Sequence, residues 1–198
     1  MSNDGVNRGR RRFLVAATSV VGAVGTVGVA TPFVASWNPS AKARAAGAPA
    51  RADISRLEYG QQMTVEWRGQ PVWIIRRTPE MLASLADLED RLADPESNTV
   101  SQQPDYAQNR ERAIKPEYAV VIGICTHLGC SPTYRPEVAA ADLGSDWVGG
   151  FFCPCHGSRF DLSGRVFRNQ PAPTNLRVPP HSYVDDTTII IGVDEENS

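Results

Sequence analysis

Two short loops constrain this chain more than any other feature of its sequence. They read CTHLGC at positions 125–130 and CPCHGS at positions 153–158, and they hold all four cysteines and two of the three histidines. Thiolates and neutral imidazoles select zinc, copper or iron–sulfur clusters rather than magnesium or calcium. The pattern therefore predicts a fold that brings the two loops together at one site.

Three interpretations fit these residue types. A structural zinc site would take Cys125, Cys130 and Cys153 together with Cys155 or a histidine, which leaves good ligands unused. Two disulfides would leave both histidines as ordinary side chains, as many secreted domains allow. The third interpretation divides the residues by role, so that Cys-x-His in the first loop and Cys-x-x-His in the second bind an iron–sulfur cluster, with one cysteine per loop left over.

The two loops resemble the C-T-H-L-G-C and C-P-C-H-G-S boxes of the Rieske family, in the disulfide-containing form of the quinol–cytochrome c reductases. A Rieske centre is a [2Fe–2S] cluster in which two histidines replace two cysteines on one iron. The resemblance implies that Cys125 and Cys153 ligate the inner iron. It implies that His127 and His156 ligate the outer, exposed iron.

The resemblance also assigns roles to the other residues of the loops. It implies a disulfide between Cys130 and Cys155 that clamps the loops, and a hydrogen bond from Ser158 to a bridging sulfide of the cluster. Leu128 and Gly129 would form part of an apolar docking tip.

The activity that the resemblance implies is electron transfer. In that family the subunit takes one electron from ubiquinol bound in the cytochrome b subunit and passes it to the c-type cytochrome subunit, within a dimeric complex that contributes to the proton gradient. His156 matches the family histidine that hydrogen-bonds the quinol, so we assign it the catalytic role of accepting the quinol proton. Ferric iron lowers the pKa of its histidines, which links electron transfer to proton transfer.

Two alternatives to this activity stay open at the level of sequence. One is a Rieske subunit of another periplasmic oxidoreductase, such as arsenite oxidase. The other is a membrane-tethered structural zinc protein with no redox role. A dioxygenase-type Rieske domain is less consistent with the residues, because such domains resemble the loops without the extra cysteine pair.

Composition bounds the rest of the molecule. A chain of 198 residues with 41% hydrophobic residues suits one modest domain with an appendage. The net charge of −2 and the absence of a basic stripe exclude a nucleic-acid partner.

The N-terminus predicts a membrane anchor. Four arginines within residues 1–12 precede an uncharged run, and residues 13–37 would cover ~37 Å as a helix against a hydrocarbon core of ~30 Å. A-x-A sequences at 41–43 and 43–45 resemble signal cleavage sites, but the apolar run exceeds the ~7 to 15 residues of a signal peptide. We therefore predict a retained transmembrane helix in the lipid bilayer.

Arg10-Arg11-Arg12-Phe13-Leu14 resembles the twin-arginine export motif, a route for domains that fold around a cofactor before export. With the positive-inside rule it predicts a cytoplasmic segment 1–12 and a periplasmic head at 51–198, anchored in a bacterial inner membrane. An oxidising periplasm permits the disulfide. Residues 38–50, rich in alanine and interrupted by proline and glycine, predict a flexible hinge.

The head is predicted to be mainly β: a Rieske-type antiparallel β-sheet domain with cluster-binding loops and one inserted helix. The pattern predicts a hairpin of 64–67 and 71–75 about a turn at 68–70, and a helix capped by Thr78 that runs to about Leu92. Residues 94–116 read as a surface loop. Further strands are predicted at 118–124, 148–152, 165–167, 183–184 and 187–193.

Three single residues carry additional expectations. His181 is predicted to lie on the surface, because it has no partner nearby in sequence. Phe160 stands where high-potential family members resemble one another in having tyrosine. Gln170 stands where the family usually has glycine, in a stretch that resembles the proline-rich loop over the cluster.

Overall fold

The N-terminal unit of the chain, which ends at residue 45, is built on one long helix, α1 (Arg8–Ala35). The structure, a computed structural model, describes residues 5, 7–41, 43 and 47–194. Asn7 caps the helix, since its side-chain oxygen accepts a hydrogen bond from the Arg10 N–H at 3.1 Å. The helix has 28 residues, and an 18-residue stretch of it has a mean hydropathy of 2.0. By length and composition it can cross a membrane, as the sequence predicts.

Three threonines make α1 only moderately hydrophobic, and each satisfies its hydroxyl within the helix. Thr18, Thr26 and Thr31 donate to the carbonyl oxygens of Leu14, Gly22 and Val27 at 2.7–2.8 Å. A free hydroxyl is costly in hydrocarbon, whereas one bonded to its own helix is tolerated. The threonines are therefore compatible with a spanning helix.

Three antiparallel sheets form the second unit, which begins at residue 46. Their strand orders are β1-β9-β8, β2-β3-β4 and β5-β6-β7. The strands are β1 (Ala50–Asp53), β2 (Gln62–Trp67), β3 (Gln70–Arg76), β4 (Tyr118–Ile122), β5 (Thr133–Arg135), β6 (Gly150–Phe152), β7 (Arg159–Phe160), β8 (His181–Asp185) and β9 (Thr188–Ile191). The predicted mainly β fold is confirmed. Ala50, which we placed at the end of the linker, instead opens β1 by pairing with Ile191.

The middle sheet is covered on both faces. Val72 and Ile74 of β3 lie in a core shared with β1 and β9, while Trp73 and Ile75 lie in a second core shared with β6 and β7. A strand buried on both sides reads as a continuous apolar run instead of an alternation. The second core also contains the two cysteines that are not in a disulfide, so this sheet supports the two cysteine-containing loops.

The predicted hairpin is confirmed, with a shorter turn than expected. Arg68 and Gly69 have φ values of 52° and 70°, which is the geometry of a two-residue type I′ turn. Gln70, predicted to belong to the turn, pairs with Trp67 and begins β3.

The predicted helix from Thr78 to Leu92 is wrong in its second half. Thr78 caps it as predicted, accepting from the Met81 N–H at 3.2 Å, but the helix, α2 (Pro79–Ser84), has only six residues. A 3₁₀ helix over Ala86–Arg91 follows. The Leu85 carbonyl, which would continue the α-helical ladder, accepts a hydrogen bond from the buried Arg165 side chain at 2.9 Å instead.

The prediction that residues 94–116 form a surface loop is also wrong, because several of these residues are buried. Ser97, Ala107 and Arg112 are all buried, and short 3₁₀ helices occupy Val100–Gln102 and Asp105–Ala107. The polar side chains that suggest a surface loop bind carbonyl oxygens inside the domain. Residues 165–167, predicted as a strand, make only isolated bridges at Val166 and Phe167.

His181 is buried, with 1% of its surface exposed, so its predicted surface position is wrong. Its backbone N–H donates to the Tyr106 hydroxyl at 2.8 Å, and Nδ1 lies 2.9 Å from the Pro179 carbonyl oxygen. Among the described residues, Nε2 has no hydrogen-bond partner. Burial lowers the pKa of His181, so the folded protein keeps this ring neutral.

This buried ring predicts a pH-dependent stability. Because the unfolded chain binds a proton at His181 near pH ~6.5 and the folded chain does so only at lower pH, stability falls as pH drops below ~6.5. We expect the free energy of unfolding to decrease by about 1 kcal/mol more in the wild type than in His181→Gln between pH 7 and 5.5. Denaturant unfolding at both pH values measures this difference. Equal decreases in the two proteins would show that folding does not lower the pKa of His181.

Candidate metal centre

The two cysteine-containing loops share one backbone conformation. In the first, the Cys125 N–H donates to the Cys130 carbonyl at 2.7 Å and the Gly129 N–H to the Cys125 carbonyl at 3.0 Å. In the second, the Cys153 N–H donates to the Ser158 carbonyl at 2.8 Å and the Gly157 N–H to the Cys153 carbonyl at 2.9 Å. Each loop is therefore a six-residue unit that begins at a buried cysteine.

The fifth residue of each loop is a glycine for a conformational reason. Gly129 and Gly157 have φ values of 83° and 79°, in the left-handed region that other residues seldom adopt. A Cβ at either position would meet no atom within 4 Å, so backbone geometry rather than space requires the glycine. The matching glycines were visible in the sequence and could have predicted that the loops are equivalent.

The remaining cysteine of each loop joins the two loops covalently. Cys130 is the sixth residue of the first loop and Cys155 the third residue of the second, and the structure joins them in a disulfide. Each loop follows a strand of a different sheet, β4 for the first and β6 for the second. The disulfide therefore ties the middle sheet to the small β5-β6-β7 sheet at the site.

Cys125 and Cys153 are free and buried, with 3% and 2% of their surface exposed. Burial raises the pKa of the Cys125 thiol, and the neighbouring Cys153 raises it further. Hydrogen bonds to its sulfur from the His127 N–H and the Ser158 hydroxyl act in the opposite direction. Two buried thiolates side by side need a positive partner, and a bound metal ion supplies one.

The two histidines of the loops lie next to each other on the solvent side. The ring centroids of His127 and His156 are 4.8 Å apart, and the ring planes meet at 85°. His156 is exposed and His127 is partly exposed. His127 Nδ1 is nevertheless buried, and no group in the described part of the chain gives it a hydrogen bond.

These donors fit a [2Fe–2S] cluster. Cys125 and Cys153 offer two soft sulfur ligands side by side, and the unpartnered Nδ1 of His127 lies beside the ring of His156, so the two loops bring two thiols and two imidazoles to one place. The sulfur atoms of Cys130, Cys153 and Cys155 also lie within 4.8 Å of one another. That set is the weaker metal site, because a disulfide uses two of its three sulfurs and only a thiolate is a strong ligand.

A third segment, residues 170–176, is bound to both loops. The Thr126 hydroxyl donates to the Thr174 carbonyl at 2.7 Å. Ser158 Oγ accepts from the Ala172 N–H at 3.0 Å, which leaves its own hydrogen free to donate to the Cys125 sulfur. This proline-rich segment therefore holds the two loops in register and orients Ser158 at the site.

Gln170 takes part in this arrangement. Its Oε1 accepts from the Arg159 N–H at 3.2 Å, directly after the second loop. The left-handed residue of the turn is Asn169, with φ of 58°, so Gln170 needs no glycine-like conformation. The side chain adds a contact to the second loop that a glycine would lack.

Phe160 is fully buried in the core that contains Cys125 and Cys153. Phe160→Tyr would place a hydroxyl donor in this core, and a hydrogen bond to sulfur stabilises the reduced, more negative state of the centre. At ~1 kcal/mol for a net hydrogen bond we expect a midpoint potential higher by roughly 20 to 60 mV.

Protein-film voltammetry measures the shift caused by Phe160→Tyr. Phe151→Tyr is the matched control, since Phe151 is equally buried and pairs with Phe160 across the sheet, but its ring stacks on Trp73. An unchanged or lower potential in Phe160→Tyr would show that the hydroxyl reaches no sulfur.

Models of two protein families match this chain. The Rieske [2Fe-2S] domain covers residues 50–180, and the Ubiquitinol-cytochrome C reductase Fe-S subunit TAT signal covers residues 1–40. The second match agrees with the twin-arginine motif and the apolar helix that follows it.

Curated relatives match over nearly the whole length. A ubiquinol-cytochrome c reductase iron-sulfur subunit of Allochromatium vinosum is 67% identical over 98% of this chain and 93% of its own length. Another, of Blastochloris viridis, is 47% identical over 96% of this chain and 97% of its own length. A solved structure of a hyperthermophilic respiratory Complex III is 25% identical with a TM-score of 0.48, covering 88% of this chain and 98% of that one.

The family matches and the relatives, taken with two histidine- and cysteine-bearing loops whose donors fit a [2Fe–2S] cluster, identify the family. The chain belongs to the Rieske [2Fe–2S] proteins, as an iron–sulfur subunit of ubiquinol–cytochrome c reductase.

Proposed function

We propose that this chain takes single electrons from ubiquinol bound in a cytochrome b subunit and passes them to a c-type cytochrome subunit. The observation that carries the proposal is the difference in exposure between the two sides of the site. The thiols of Cys125 and Cys153 are buried in the core, whereas the imidazole of His156 is exposed. Electron exchange with a partner is therefore favoured at the histidine side.

Cys125 and Cys153 would hold one iron, and His127 and His156 the other. When bound, the cluster supplies a centre that accepts and releases one electron. The buried cysteines keep water away from their side of the site. The disulfide between Cys130 and Cys155 holds the two loops at a fixed spacing, so that the four ligands stay in place during turnover.

His156 is the residue that we propose to bind the quinol and accept its proton. Its ring is exposed, and the edge-to-face contact with His127 fixes its orientation. A neutral ring nitrogen can accept a hydrogen bond from the quinol hydroxyl and then its proton, provided that the hydroxyl lies within hydrogen-bond reach.

Leu128 and Gly129 would form the docking tip beside the histidines. Leu128 has 71% of its surface exposed and follows His127 directly in the first loop, so a partner that meets the histidines also meets this side chain. An apolar contact there would exclude water from the space between His156 and the quinol. The tip would then serve both cytochrome partners in turn.

The docking tip predicts a specific loss of activity. Leu128→Asp should slow quinol-dependent cytochrome c reduction at least about tenfold, because a charge would have to be desolvated at each docking event. Val100→Asp is the matched control, since Val100 is 70% exposed but lies outside the loops. EPR of both variants should match the wild type. Equal turnover in the two variants would contradict a docking role for Leu128.

We further propose that α1 spans the bacterial inner membrane. In this arrangement residues 1–12 face the cytoplasm and residues 13–37 cross the bilayer. Residues 38–49 act as a flexible hinge that leads into β1, and the head functions in the periplasm as part of a dimeric complex. The twin-arginine signal and the apolar helix support this arrangement. Mass spectrometry of the intact subunit should find α1 retained.

A further inference from the structure

Three arginine side chains are fully buried in the head. Arg77, Arg112 and Arg165 have 0%, 1% and 0% of their surface exposed. Within the described residues, Asp161 is the one buried carboxylate that could balance them. Burying a charge without a partner is costly, so an excess of two buried positive charges needs a reason.

The three arginines meet at one turn. Arg77 Nη1 donates to Ser163 Oγ at 2.7 Å, and Arg112 Nη1 donates to the Ser163 carbonyl at 3.3 Å. Arg165 Nε donates to Asp161 Oδ2 at 2.7 Å. Residues 161–165 follow the second loop of the site in sequence, and only the two residues of β7 separate the turn from that loop.

Asp161 balances only one of the three charges. Its Oδ2 pairs with Arg165, while its Oδ1 accepts from the Ser163 and Arg165 N–H groups. Glu111 and Asp94 lie near Arg77 and Arg112, but both are partly exposed and therefore screened by water. Burial lowers the pKa of Arg77 and of Arg112 to about 10, so both stay charged at neutral pH.

Arg112 reaches the core that contains the free cysteines. Its Nη1 donates to the Leu176 carbonyl at 2.7 Å. Leu176 packs in the same buried cluster as Cys125 and Cys153. The guanidinium is therefore hydrogen-bonded to a residue of the same apolar cluster in which the two free cysteines pack.

The hydrogen bonds of Arg77 and Arg112 go almost entirely to neutral groups. Arg112 donates to four carbonyl oxygens and to Gln103 Oε1, and Arg77 donates to three carbonyl oxygens and to Ser163 Oγ. Arg77 Nη2 and Arg112 Nε are buried and have no partner among the described residues. These bonds fix the turn, but they pair neither guanidinium with a carboxylate, and the buried carboxylate that attracts both, Asp161, is already paired with Arg165.

We infer that Arg77 and Arg112 act as a fixed electrostatic counter-charge that favours the reduced state of the metal centre and so raises its midpoint potential. The inference rests on the proposed function, because it requires a centre that becomes one charge more negative when it accepts an electron. Attraction between buried charges is only weakly screened by solvent or salt.

The test compares midpoint potentials of the full-length chain, purified in detergent with its cluster. Arg112→Gln should decrease the equilibrium constant for reduction of the cluster threefold to tenfold. For one electron this lowers the midpoint potential by ~30 to 59 mV. Arg112→Lys keeps the charge and should stay close to the wild type. Asp161→Asn removes the single buried negative charge and should raise the potential, while its new amide oxygen can keep both backbone hydrogen bonds.

Arg177→Gln is the surface control. Arg177 follows Leu176 directly but is exposed, so removal of its charge should leave the potential unchanged. Opposite shifts in Arg112→Gln and Asp161→Asn are the decisive signature, because loosening of the turn would move both in one direction. Circular dichroism and the visible spectrum establish that each variant is folded and loaded.

Two results would overturn the inference. One is an equal shift in Arg112→Gln and Arg112→Lys, and the other is a lower or unchanged potential in Asp161→Asn. Should Arg112→Gln fail to fold, Arg77→Gln takes its place, and an unchanged or higher potential in that variant would overturn the inference. A wild-type chain without any iron–sulfur signal would instead refute the proposed function, so the two failures are distinguishable.

Discussion

Replacement of Cys125, His127, Cys153 or His156 by alanine is expected to abolish the iron–sulfur cluster, because each change removes one bond to the metal. Replacement of Cys130 or Cys155 by serine should leave the cluster assembled but weakly held. The disulfide constrains the unfolded chain, and its loss costs about 2 to 4 kcal/mol in typical proteins. Iron and sulfide content together with EPR of each purified variant measures the difference.

The contrast between the four proposed ligands and the two disulfide cysteines tests the division of roles. Ser158→Ala gives a third class of variant, since it removes a hydrogen bond to the Cys125 sulfur but no ligand. This variant should keep the cluster and have a lower midpoint potential. Equal loss of iron at all six cysteine and histidine positions would contradict the separation into ligands and a clamp.

Three prolines in place of Ala45, Ala46 and Gly47 should slow quinol-dependent cytochrome c reduction at least about tenfold. Residues 44–46 lie outside the described residues, so this expectation rests on the sequence. The segment 38–49 spans ~40 Å when extended and ~18 Å when helical, which gives the head ~22 Å of travel between partners without movement of the anchor. Proline removes the helical state and stiffens the linker.

Stopped-flow kinetics on the assembled complex measures the effect of the prolines, with three serines at the same positions as the flexible control. The EPR spectrum and midpoint potential should stay normal in both variants. A triple-proline complex that assembles fully and turns over at the native rate would show that the segment is only a spacer.

Much of the site could be predicted because its information is local. Each metal-binding loop is a six-residue unit whose cysteines, histidines and glycine are close in sequence. The hairpin about Arg68 and Gly69 is equally local, and so is the Thr78 cap. In each case the residues that determine the geometry lie within a few positions of one another.

What the sequence missed depends on contacts between distant residues. His181 was expected on the surface, but Tyr106, 75 residues away, binds its backbone and packs against its ring. Arg112 lies in a polar segment that reads as a surface loop, yet its partner Leu176 is 64 residues away. The Arg165 side chain donates a hydrogen bond to the Leu85 carbonyl, 80 residues away in sequence, and the predicted helix ends early at this point.

The buried arginines illustrate why polar composition misleads. A guanidinium has five N–H donors, so it can be buried wherever several carbonyl oxygens converge. No local pattern indicates such a convergence, because the carbonyls come from separate segments. The sequence therefore predicted the loops of the site but did not indicate the buried guanidinium groups of Arg77, Arg112 and Arg165.

Pulsed EPR on the reduced, purified chain with ¹⁵N-labelled histidine tests the central assignment most directly. Of the three histidines, two should couple to the electron spin as distinct imidazole nitrogens, those of His127 and His156, while His181 stays silent. His181→Gln should therefore leave the spectrum unchanged. An EPR signal without histidine nitrogen couplings, or a protein that holds zinc and no iron, would contradict the account.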